Sequence, residues 1–177
     1  MKKGLFIFCF TMFIAFASKA QDNTSLPAKY QEKMTSIFNK IPEVTSSAAT
    51  SLIDFAKSML GKPYVYASSN PDRGFDCSGF VSYVFSNFGF KVPRSSREFA
   101  GAGTPVKLAD AKVGDVLIFT GTNPRVRKIG HVGIIYSIEN GEIKFIHSTS
   151  GKAHGVTVTE FNDYYKSRFM KAVSIVE

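Results

Sequence analysis

The sequence predicts a segregated α+β domain, with helices first and an antiparallel sheet second. Three observations predict it. From residue 77 the apolar positions Phe80, Val81, Val84, Phe85 and Phe88 recur at helical spacing behind a good N-cap, Asp76. Beyond Gly114 the pattern changes to strand-like runs at 115–119, 131–138, 142–148, 155–159 and 170–176. Asn140-Gly141, the dipeptide of a tight hairpin turn, joins the second of these runs to the third.

Before that domain, "MKKGLFIFCFTMFIAFASKA" has a basic start, an apolar run from Gly4 to Ala17, and small residues at Ser18 and Ala20. The run is shorter than the roughly 18 apolar residues of a spanning helix, and the small-residue site follows it directly. Residues 1–20 therefore read as a secretory signal peptide, and the protein as exported, periplasmic or extracellular, with no integral membrane segment after cleavage. Cys9 lies inside the apolar run and leaves with it. Removing Lys2, Lys3 and Lys19 takes the formal charge from +8 to +5. The remaining basic residues are scattered apart from "RVRK" at 125–128, with no zinc-finger or RNA-binding signature beside them, so nucleic acid is not expected as a partner.

Residues 21–47 read as a polar leader with one helix, from Ala28 to Lys40, which Pro42 ends. "TSSAATS", 45–51, reads as a short linker. The domain proper, 48–177, then opens on a helix capped at Ser51, with Asp54 three residues on and a stop at Gly61 before Pro63. Its length suits a single buried core, and a monomer is expected.

The helix that starts at Cys77 carries the one cysteine left after signal removal. A lone cysteine in an exported chain is either a buried small hydrophobe or a reactive thiol. Its place in the first turn favours chemistry, because the free N–H groups and positive dipole end stabilise an anion and lower a thiol pKa. A nucleophilic thiol needs a base, and the base an orienting partner. His131 begins one predicted strand and His147 lies near the end of the strand paired with it. In adjacent strands, His147 can hydrogen-bond one nitrogen of His131 and aim the other at Cys77. His154, in the loop "SGKAHG", reads as a surface residue.

"GFDCSGFVSYVF", "VPRSS", "AKVGDVLIF", "IGHVGIIYSI" and "FIHSTSG" resemble, in order, the signature blocks of the NlpC (NlpC and p-sixty) family of bacterial cell-wall cysteine peptidases. The resemblance covers roughly residues 50–177. It implies a papain-like fold, with N-terminal helices packed on a central antiparallel sheet and the nucleophile at a helix N-terminus. It also implies a peptidase of peptidoglycan stem peptides or muropeptides, most often cutting the γ-D-glutamyl bond to a diamino acid.

In that pattern Cys77 is nucleophile, His131 base and His147 the polar third member, with neither metal nor cofactor. Tyr64 of "GKPY" would help the Cys77 N–H hold the oxyanion, or be only a packing aromatic, with Tyr66 two residues on as a competitor for the role. Asp76 and Ser78 would line a pocket for a free L-alanine amine, or only begin the helix. Two departures bear on the groove: "YASS" lacks the glycine pair that usually follows the tyrosine block, and Phe99 stands where relatives often have glutamine. A wall-peptide binder without activity, and an amidase or acyltransferase using the same thiol, are the other classes this pattern allows.

Overall fold

The computed structural model describes residues 28–176, so the expected signal segment, 1–20, lies outside the described residues. The chain divides into two units, residues 1–37 and 38–177. The described part of the first, 28–37, is helical. Among the described residues no helix is long and apolar enough to cross a membrane.

Helix α1, Ala28–Lys57, is continuous. This corrects two expectations: Pro42 does not end a helix, and 45–51 is not a linker. Proline removes one backbone donor and crowds one turn, which opposes a helix without forbidding it. Beyond it Ala49, Leu52, Ile53 and Ala56 form a buried stripe at i, i+3, i+4, i+7 spacing. Ser51 is accordingly an exposed helical residue and not a cap. A turn through Gly61 then leads to the two-residue strands β1 (Ser69–Asn70) and β2 (Gly74–Phe75), which pair antiparallel. They are too short to leave a pattern in sequence.

Helix α2 spans Cys77–Asn87, with Asp76 as N-cap accepting from the Gly79 N–H at 2.6 Å. A 3-10 turn at Ser96–Gly101 carries Phe99, which is fully buried. Phe99 is thus a core residue and not part of a groove rim. The strands that follow are β3 (Thr104–Val106), β4 (Val116–Thr120), β5 (Ile129–Glu139), β6 (Glu142–Thr149) and β7 (Gly155–Glu160). Helix α3 (Asp163–Arg168) and strand β8 (Phe169–Ser174) close the chain. The six strands form one antiparallel sheet in the order β3-β8-β4-β5-β6-β7. At the β5–β6 turn Asn140 and Gly141 both take positive φ, 52° and 81°.

Strand alternation gives the sheet two apolar faces. Val116, Ile118, Val132, Ile134 and Ile146 pack against Phe80, Val84 and Phe85 of α2 and Leu52 of α1. Leu117, Phe119, Ile135 and Phe145 pack on the other face against Phe161 and Tyr165. Burial of each such side chain contributes about 1.5–3 kcal/mol. The second face, which sequence reading did not foresee as covered, is a nearly continuous aromatic layer centred on Phe119.

Candidate active site

Cys77 is the first residue of α2 and is partly buried. The local sequence dictates this start, since Asp76 occupies the capping position and Gly79 lets the first turn approach the preceding chain. A Cβ on Gly79 would collide with the Ser68 carbonyl oxygen. The N–H groups of Val132, Ser78 and Cys77 itself draw the thiol pKa down, as the helix-start argument expects. Burial is the larger effect, however, and the Asp76 carboxylate adds to it, so the net displacement is upward from the ordinary value. Position at a helix start does not by itself make Cys77 a resting thiolate.

His131 lies near the start of β5 and His147 near the end of β6, and both are buried. The register pairing Ile134 with Ile146 brings His147 beside Gly133. A side chain there would press within 3.0 Å of the His147 Cβ, so glycine leaves the room in which the two imidazoles meet. His131 Nε2 and His147 Nδ1 are 2.7 Å apart, and His147 Nε2 is 2.9 Å from the Thr159 hydroxyl on β7. Burial holds both rings neutral: it pushes His147 down to about 3, and His131 well below its usual range, with the Arg168 guanidinium acting in the same direction on each.

With Nε2 engaged by His147, Nδ1 is the nitrogen that His131 has left for a proton from a thiol. Cys77 and His131 line one cavity of about 880 Å³. The described hydrogen bonds close the His131–His147–Thr159 chain but not a bond from Cys77 to His131, a contact that commonly tightens only around substrate. A neutral thiol beside a neutral imidazole can pass a proton when a carbonyl carbon arrives, which is the requirement of thiol acyl transfer.

A second cavity, of about 590 Å³, also contains Tyr64, Cys77 and Gly130 in its wall, and adds Asp76, Ser78 and Arg94. Cys77 therefore borders both cavities. Tyr64 borders both, and burial together with the nearby Cys77 and Asp76 pushes its phenol pKa up, which keeps it a hydrogen-bond donor. Tyr66 is 84% exposed. Asp76 does more than cap: its Oδ1 accepts from Gly79 N–H, Ser78 Oγ and Arg94 Nη1, and its Oδ2 accepts from Arg94 Nη2 at 2.7 Å. Ser78 Oγ also accepts from Arg94 Nη1 at 3.2 Å. His154 is exposed, and its carbonyl accepts the Tyr64 N–H.

Three side chains at the site escape sequence reasoning: Thr159, Arg94 and Arg168. Thr159 ends a run of alternating Thr and Val that reads simply as strand. Arg94 lies 18 residues after its carboxylate partner, and only the "PRSS" block hinted at it. Nothing local distinguishes Arg168 from an ordinary helix-ending arginine.

A model of the NlpC/P60 family matches residues 61–174. Gamma-DL-glutamyl hydrolase of Bacillus subtilis (strain 168) is 35% identical over 125 residues, 70% of this chain and 28% of that protein. A probable endopeptidase, NlpC homolog, of Haemophilus influenzae is 30% identical over 142 residues, 78% of this chain and 70% of that one. Among solved structures, the peptidoglycan hydrolase RipB from Mycobacterium tuberculosis matches with a TM-score of 0.60 and 28% identity, over 75% of this chain and 67% of that one. The chain spans 22–49% of the length of three further-extended curated relatives, the Bacillus hydrolase among them.

Proposed function

Because the chain belongs to the NlpC/P60 family and has its papain-like fold, we propose that it is an exported cysteine endopeptidase of peptidoglycan stem peptides, cutting the γ-D-glutamyl bond to a diamino acid. The observation that carries this reading is the position of Cys77 in the wall of two cavities, one of which it shares with the buried His131–His147–Thr159 chain. An endopeptidase has to hold chain on both sides of the bond it cuts.

Cys77 gives its proton to His131 Nδ1 as the substrate carbonyl approaches, and the thiolate sulfur bonds to the carbonyl carbon. The Cys77 N–H and the Tyr64 hydroxyl donate to the oxyanion. The imidazolium then protonates the departing amine, the carbon–nitrogen bond breaks, and a thioester remains. Water, deprotonated by His131, attacks the thioester. The γ-carboxylic acid leaves and the thiol is restored.

Asp76 and Ser78 are proposed to face the substrate's free amino terminus. Among the described residues Asp76 Oδ2 has a single donor, Arg94, which leaves lone-pair capacity for an ammonium group even while Oδ1 serves the helix cap. The capping and substrate roles are thereby divided between the two oxygens.

The test is incubation of the purified protein with defined tri-, tetra- and pentapeptide stems, each with a free L-alanine amine and as the glycan-linked muropeptide, read by product mass, alongside Cys77→Ala. Release of a product ending in γ-D-glutamate, abolished by Cys77→Ala, is the expected outcome. A folded wild-type protein that leaves both the free and the glycan-linked series uncut overturns the reading. Export with removal of residues 1–20 predicts a secreted form whose first residue is Gln21, which intact-mass measurement reads directly.

A further inference from the structure

We propose that the cavity reached from Cys77 on the side away from Asp76 is an anion subsite, in which Arg168 receives a carboxylate of the residue that follows the scissile bond. The assignment of that side to the leaving part rests on the peptidase reading above, with the acyl part lying toward Asp76 and Ser78.

Arg168 is 5% exposed and lines this cavity. Two of its nitrogens are used internally: Nε donates to the Gly121 carbonyl at 2.9 Å and Nη2 to the Thr120 carbonyl at 3.0 Å. Nη1 has no acceptor among the described hydrogen bonds. The guanidinium lies 4.9 Å from the centre of the Tyr164 ring and 5.4 Å from that of Tyr165. What it lacks among the described residues is a counter-ion. The ion pairs of the described residues are Lys57–Asp54, Arg94–Asp76 and Lys166–Asp163, and none includes Arg168. A charge taken out of water is costly unless it is paired, and carbonyl dipoles and ring faces compensate only part of that cost.

The cavity wall is the second observation. Its charged side chains are Arg168 and the exposed Lys152, and neither Asp nor Glu belongs to it. The histidines supply no negative charge, and Arg168 itself helps hold them neutral. The other cavity bordered by Cys77 contains the Asp76 carboxylate already paired with Arg94. The two halves of the groove therefore differ in kind: one has its acid and base matched, and the other offers unmatched positive charge. A ligand group that completes the second half is an anion, and guanidinium geometry favours a carboxylate.

In a stem peptide that carboxylate has two possible sources. One is the ω-carboxylate of a dicarboxylic diamino acid, which a lysine at the same position lacks. The other is the C-terminal carboxylate of a peptide that ends there.

The experiment compares four tripeptides sharing L-Ala-γ-D-Glu: one with diaminopimelate, one with its ω-carboxylate amidated, one with lysine, and one with diaminopimelate as the C-terminal amide. Neutralising the carboxylate that Arg168 receives should lower kcat/KM at least about tenfold, the scale of a hydrogen bond to a charged group. The arm that drops identifies the source. In Arg168→Lys and Arg168→Gln the ratio between charged and neutral peptides should fall toward one, with folding checked by circular dichroism. Calorimetric binding of the same peptides to Cys77→Ala reads the preference without cleavage, so a failed peptidase reading and a failed subsite are separable. With Arg168 intact, equal values across the series, in cleavage by the wild type or in binding to Cys77→Ala, overturn the proposal. So does Arg168→Gln retaining the full preference.

Discussion

In the proposed mechanism Thr159 supports the tautomer in which His131 acts as a base. For His131 Nδ1 to accept a proton, the ring's hydrogen has to be on Nε2 and be donated to His147 Nδ1. His147 then carries its own hydrogen on Nε2 and donates it to the Thr159 hydroxyl oxygen, so an acceptor on β7 supports this pair of tautomers. Thr159→Val keeps the shape and removes the acceptor. It should reduce kcat/KM about tenfold or more, on the scale of other partners that orient a functional histidine, while Thr159→Ser restores most of the loss. Nitrogen-15 NMR of the imidazoles checks the cause, since Thr159→Val should mix the tautomers and a merely structural threonine would leave them unmixed. At this scale Cys77, His131 and His147 were legible because cysteine and histidine are scarce in this chain, one and three once residues 1–20 are set aside. Thr159 and Arg168 were not, because threonine and arginine are abundant and their partners are set by strand register and by the seating of α3, which a linear pattern does not encode.

The start of α2 joins folding and chemistry in one element. Asp76 caps the helix, binds Arg94 and borders the groove, so Asp76→Ala removes a cap and leaves a partly exposed guanidinium unpaired. Loss of the cap alone costs about 0.5–2 kcal/mol, and the midpoint of urea unfolding should fall accordingly. Asp76→Asn retains a capping oxygen and should lose less stability, yet still weaken any preference for peptides with a free amino terminus. Comparing the two variants in urea and in kcat/KM separates the cap from the substrate contact. Elements with strong periodicity were readable: α2 begins at the residue expected, and the five main strands fall within a few residues of their predicted bounds. The failure at α1 has a definite cause. Pro42 and a Ser/Thr-rich stretch are local stop signals, whereas the buried stripe from Ala49 to Ala56 that holds the helix on the sheet is a tertiary effect. Strands of two or three residues, such as β1, β2 and β3, carry too few side chains to show a period.

For the molecule as a whole, two neutral histidines under an aromatic layer set its response to acid. In the unfolded chain each titrates near the ordinary value of about 6.5. In the folded protein burial lowers both, His147 to about 3 and His131 well below 6.5. Below pH 6.5 the unfolded chain therefore binds protons that the native state refuses, and ν_U exceeds ν_N. Stability is fully present above that pH and is lost as pH falls toward 3. With both sites contributing, the slope approaches about 2.7 kcal/mol per pH unit, enough to exhaust the margin of a typical domain within a few units. Thermal midpoints measured from pH 8 to 4 should fall steeply below pH 6. His147→Gln, which cannot titrate, should shallow that slope while reducing stability at pH 8, and an unchanged slope would sink the assignment. The same burial widens the activity profile. The imidazole is protonated only below its ordinary range and the thiol ionises only above its own, so kcat/KM should form a broad plateau through neutral pH. A narrow peak centred between 6.5 and 9 would contradict the neutral resting pair and favour a preformed thiolate.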